Sequence, residues 1–220
     1  MKKASRVFYI FSGLLSLFAS FLLLVTALAF IFDIPWIALF AFCDFSNMTF
    51  SFEHVTAASI FSILFEGSIA LFCLSLSILA FVCGVLSFVG LVNKKAINII
   101  NIVFGVFGLI NACLVFPLAL LSTYSLIGWI RTIIELSEIV GGFMNLVNIN
   151  GGWMFVAREI ALCITDVTLF VCYHLATPIL LFAGLFEVLA GIFGLINNHK
   201  EKKQKLLEEA TIEEIGGENL

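Results

Sequence analysis

Glu187 is the residue in this sequence with the greatest capacity for chemistry. It is the one Asp, Glu, Lys or Arg within the apolar run Val167–Ile196. At 1.5 Å of rise per residue it lies roughly 13–14 Å from the nearer end of that run, close to the middle of a bilayer core about 30 Å thick. Residues expected at similar depth in the other apolar runs are Ser16, Ser20, Cys83, Gly84 and the stretch from Gly105 to Asn111, and none of them is Lys, Arg or His. A carboxyl with no cation from its own chain at that level is expected as the neutral acid at pH 7. Two roles fit it. Bonded to Ser16, Ser20 or Asn111, it would hold helices together; open to exchange, it would bind a proton or cation in a transporter or channel. Pro117 and Pro178, which can free a backbone carbonyl within a helix, keep the second role in play.

Other reactive groups are scattered. Glu66, Asp166 and His174 fall near one boundary of the apolar runs, but their spacing matches no metal-ligand pattern. The chain has no HExxH, no Gly-x-Ser-x-Gly and no phosphate loop, so neither an enzyme nor a cofactor is expected. Of six cysteines, Cys73, Cys83, Cys113 and Cys172 lie in apolar runs as small core residues. Cys43 and Cys163 fall in the connections on the outer side, where a disulfide between them is allowed if their Cα atoms come within range.

The elements that must position these groups follow from composition. With 62% hydrophobic and 12% charged residues, the chain departs far from a soluble domain at roughly 45–50% and 25%. Four runs reach the roughly 20 apolar residues a spanning helix needs: Val7–Phe32, Ser68–Val92, Ala96–Ser122 and Val167–Ile196. Of the charged side chains only Glu187 lies inside them, as the cost of charge in hydrocarbon demands. The fold expected is all-α, a four-helix transmembrane bundle formed by residues 1–200, followed by a charged tail at 201–220. Lys2, Lys3, Arg6, Lys94, Lys95 and four lysines from Lys200 to Lys205 share one side, which makes both termini cytoplasmic. The bilayer is one partner; a net charge of −4 offers nothing to a nucleic-acid backbone. Ala27-Leu28-Ala29 has the form of a signal cleavage site, but about 20 apolar residues precede it where a signal core has roughly 7–15, so the first run is expected to stay as a span.

Each run carries a seam of small or polar residues at three- and four-residue steps, which places them on one helix face. The first has Ser12, Ser16 and Thr26; the second Cys73, Ser77, Ala80, Gly84 and Ser87. The third has Asn98, Asn101, Gly105, Gly108 and Ala112; the fourth Gly184, Glu187, Gly191, Gly194 and Asn198. Such faces let backbones approach and hydroxyls bond across helices, while the 25 Phe suit lipid. A heptad of the form small-x-(Phe/Val)-Gly-Leu-(Ile/Val)-Asn starts at Ser87, Gly105 and Gly191. Two of its three copies close a span; the third runs through mid-membrane, which marks it as a packing element.

The connections are less constrained. Phe40, Phe42, Phe50 and Phe52 alternate around Asn47, which allows a short β-hairpin in the first outer loop; an interfacial helix is the rival reading. Asn47-Met48-Thr49 has the form of a glycosylation acceptor. The second outer loop, Thr123 to Asp166, reads as two helical extensions around a turn from Gly141 to Gly152. The tail after Lys200 sets lysines against anionic headgroups and then turns acidic, with a frayed end expected. MKKASRVFYIFSGLLSLF and GIFGLINNHKEKKQK resemble the ends of uncharacterised small four-span proteins of bacterial inner membranes. The layout is also similar to tetraspanins and claudins, without the Cys-Cys-Gly of the former or the Gly-Leu-Trp and paired cysteines of the latter. That resemblance covers the span pattern and carries over no functional motif. The residues are read as those of a plasma or bacterial inner membrane protein of structural, scaffolding or assembly role, associating with other membrane proteins or with itself. The alternative is a small proton- or cation-coupled transporter or channel subunit centred on Glu187.

Overall fold

The computed structural model describes residues 2–44, 49–50, 57–92, 94–138 and 152–217. Four helices account for nearly all of them: α1 (Lys2–Phe42), α2 (Ala57–Val89), α3 (Lys95–Glu138) and α4 (Gly152–Gly217). Each is long and apolar enough to cross a membrane, and the chain is a multi-pass membrane protein. Helices are what these runs must form, because in hydrocarbon every backbone N–H and C=O has to be satisfied within the segment.

All four helices run past the apolar stretches that announce them. α1 continues to Phe42, so Phe40 and Phe42 are helical rather than alternating along a strand. α2 begins at Ala57, α3 extends to Glu138 and α4 starts at Gly152, the last two as the helical extensions expected of the connection from Thr123 to Asp166. α4 also carries the charged tail as continuous helix to Gly217, where the sequence points to fraying. A helix leaving the bilayer needs no further apolar residues, only good helix formers, and the Glu- and Lys-rich tail supplies them. α3 and α4 pass through Pro117 and Pro178 without interruption. Between α1 and α2, β1 (Cys43–Asp44) pairs antiparallel with β2 (Thr49–Phe50), Cys43 opposite Phe50 and Asp44 opposite Thr49. Asn47 and the turn from Gly141 lie outside the described residues. α2 ends in a 3-10 turn, Gly90–Val92, and Asn98 N donates to Lys94 O at 3.0 Å to open α3, so the link between them is tight.

The chain divides into two compact units, each with a segment of every helix: residues 1–18, 79–111 and 179–220 in the first, 19–78 and 112–178 in the second. In both, the interior combines small and apolar side chains such as Ala19, Leu23, Val115 and Leu180 with polar ones. Large apolar side chains such as Phe11, Phe21, Phe61, Leu71 and Phe81 are exposed, while Ser12, Ser77, Asn98, Asn101 and Glu187 are buried. That distribution suits a lipid solvent, where polar groups turn inward and hydrocarbon turns out. Hydroxyls on outer faces are satisfied within their own helix: Ser68 donates to Leu64 O at 2.7 Å, Ser75 to Leu71 O at 2.9 Å and Thr168 to Ile164 O at 2.8 Å.

Candidate functional site

In the first unit α3 and α4 meet backbone to backbone. A methyl group on Gly184 would lie 2.8 Å from Gly105 O and from Leu109 N; one on Gly105 would lie 2.9 Å from Val188 N and 3.0 Å from Gly184 O. A methyl on Gly108 would lie 3.3 Å from Gly184 Cα. Two turns along, a methyl on Gly191 would lie 2.8 Å from Asn98 O and 2.5 Å from Ile102 Cγ1, and one on Gly194 would lie 2.5–2.8 Å from the side-chain atoms of the Asn98 carboxamide. Gly84 plays the same part between α2 and α1, where a methyl on it would lie 2.9 Å from Leu17 Cγ and 3.1 Å from Gly13 O. In the three heptads the small residues at the first and fourth positions are buried, and Val92, Ile110 and Ile196 at the sixth are exposed.

This close approach brings polar side chains together between helices. Ser5 Oγ donates to Ala190 O at 2.9 Å, joining α1 to α4, and Tyr9 OH donates to Asn98 Oδ1 at 2.9 Å, joining α1 to α3. Ser12 Oγ donates to Ala183 O at 2.9 Å and lies 3.1 Å from Ser87 Oγ on α2. A hydroxyl has one proton; with that of Ser12 committed to Ala183 O, Ser87 is the donor of the pair. Gly90, in the turn after α2, accommodates the Tyr9 ring and the Asn101 amide against its backbone, and no side chain fits there.

Glu187 sits in this cluster, 0% exposed. Neither Oε1 nor Oε2 has a hydrogen-bond partner among the described residues. Tyr9 on α1 and Cys83 on α2 are close enough to interact electrostatically with its carboxyl, and the Ser87 hydroxyl is in reach without completing a hydrogen bond. The Asn101 amide on α3 is likewise fully buried with neither polar atom bonded.

The partners expected for Glu187 are therefore not those it has. Its carboxyl is not hydrogen-bonded to Ser16, Ser20 or Asn111. Ser16 and Asn111 are buried in the first unit; Ser20 belongs to the second, where Ser77 Oγ donates to Ser20 O at 2.8 Å. The spacing rule passed over Tyr9, although it extends the α1 seam from Ser5 through Ser12 at steps of four and three. A tyrosine inside an apolar run reads as a lipid-facing ring, and only its buried hydroxyl reveals otherwise.

In the second unit Tyr173 OH meets Cys73 Sγ at 2.9 Å. Ser125 Oγ donates to Asp166 Oδ1 at 2.9 Å, while His174 Nε2 lies 3.1 Å from Thr123 Oγ1 and its Nδ1 2.8 Å from Phe170 O. His174 is thus occupied by its neighbours on α3 and α4. Among the described residues no group of three His, Cys, Asp or Glu side chains stands close enough to hold a metal ion. Cys163 carries a free thiol, and the Cys43 side chain lies outside the described residues. Comparison with protein-family models, with curated proteins and with solved structures gives no match to this chain.

Proposed function

We propose that this is a non-enzymatic four-span membrane protein that acts as a scaffold, assembling with other membrane proteins or with copies of itself. In this reading both termini are cytoplasmic, the membrane is the plasma or bacterial inner membrane, and a short hairpin closes the first outer loop. The observation that carries it is the locked interior of the first unit. Glycine-mediated backbone contact between α3 and α4, with hydrogen bonds from α1 to each of the other helices, makes a fixed body rather than a moving one. Uninterrupted α3 and α4 agree with this, since transporters commonly break helices around the site.

A second reading, a small proton- or cation-coupled transporter or channel subunit, draws on one observation: the buried Glu187 carboxyl with both oxygens unbonded. A group of that kind inside a membrane is a functional candidate by default. Glu187→Gln separates the two. Glutamine keeps the size and the fold but cannot release a proton. The scaffold reading expects unchanged proton flux in reconstituted vesicles and unchanged recovery of cross-linked assemblies. Flux present in the parent protein and lost in Glu187→Gln, at equal expression, would overturn it.

A further inference from the structure

The second unit contains a cavity of about 360 Å³. All four helices reach it, with Phe30 from α1, Phe65 and Glu66 from α2, Ser125 from α3, and Asp166 and Tyr173 from α4. Its size falls at the lower end of the range of small-molecule pockets, roughly 300–1,000 Å³. The walls are mainly aromatic and aliphatic, and they bring two carboxyl groups to one space; among the described residues that line it, none is basic. Asp166 is oriented by Ser125, which donates to Oδ1 at 2.9 Å. The Tyr173 hydroxyl is taken by Cys73 Sγ at 2.9 Å, which leaves the ring as wall.

We propose that this cavity binds a small organic cation, an amine or quaternary ammonium with an apolar body. Three features select that chemistry over others. The carboxyls of Glu66 and Asp166 favour positive charge and exclude anions. Aromatic rings attract a cation through their faces and also pack hydrocarbon. A bare divalent ion would need about six or more oxygen ligands at roughly 2.0–2.6 Å, whereas this space is far larger than an ion and mostly lined by carbon. The ammonium group sits at the Glu66–Asp166 end and the apolar body lies against Phe30, Phe65 and Tyr173. The site is separate from Glu187 and stands whether the protein is a scaffold or a transporter.

The test uses the full-length protein in lipid nanodiscs, titrated calorimetrically with benzyltrimethylammonium and with neopentylbenzene, an uncharged molecule of the same shape. Saturable binding of the cation, about tenfold or more tighter than the neutral isostere, is expected. Asp166→Asn and Glu66→Gln should each weaken the cation by a similar factor, and Gly128→Ala, whose added methyl meets nothing within 4 Å, should bind like the parent. No saturable heat with the parent protein, equal binding of the two ligands, or full binding retained in the Asp166→Asn/Glu66→Gln double variant would each overturn the proposal. The isostere comparison needs no substitution, so it decides the matter even where a variant fails to fold.

Discussion

At the scale of single residues, the interior is held by hydroxyls and carboxamides that bond across helices, while both oxygens of Glu187 and both polar atoms of the Asn101 amide are buried without a hydrogen-bond partner among the described residues. Inter-helix hydrogen bonds inside membranes contribute modestly, about 0.6 kcal/mol on average and about 1.7 at most. Tyr9→Phe removes the bond to Asn98 and keeps the ring against Gly90, so it should cost about that much in reversible unfolding from mixed micelles; a loss of several kcal/mol would mean the hydroxyl does more than join α1 to α3. Much of this was legible in the sequence. The steps of three and four from Ser12, Gly105 and Gly184 mark the residues that face inward. What periodicity leaves open is which seam residue meets which, because that depends on the rotation of four helices about their axes. Hence Ser16, Ser20 and Asn111, all at suitable depth, do not bond Glu187, while Tyr9, which the small-and-polar seam does not include, joins the cluster.

At the scale of helices, the glycines differ sharply in what a side chain would meet. A methyl on Gly184 runs into α3 backbone at 2.8 Å, which cannot rotate away; one on Gly128 of α3 has nothing within 4 Å. Gly184→Ala should therefore force α3 and α4 apart at a cost of about 1–3 kcal/mol, as overpacking does. Gly128→Ala should be neutral or stabilising by up to about 1 kcal/mol from helix propensity. Unfolding of the two variants side by side checks both, and equal effects would contradict the backbone contact. The helices themselves were plain from their apolar runs, but their ends were not. Hydropathy reports where lipid stops, whereas a helix stops where capping and backbone preferences dictate, so α1 reaches Phe42 and α4 continues through the lysines and glutamates of the tail to Gly217.

At the scale of the whole molecule, the chain is a multi-pass membrane protein with hydrocarbon outside and polar groups within. The proposed orientation, with both termini cytoplasmic, rests on the distribution of Lys and Arg, and Lys94, exposed between α2 and α3, gives a direct check. Lys94→Cys in intact cells should resist a membrane-impermeant thiol reagent and react once the cells are opened; labelling from outside would reverse the orientation. The inward-facing polar interior is tested most directly at Glu187 by infrared difference spectroscopy of the parent protein against Glu187→Gln in bilayers equilibrated with heavy water. A carboxylic-acid carbonyl band lost in the variant, at the high frequency of a group without strong hydrogen bonds and slow to shift on deuteration, is the result predicted. A carboxylate band, or an acid band that exchanges at once, would place Glu187 in water and contradict the account.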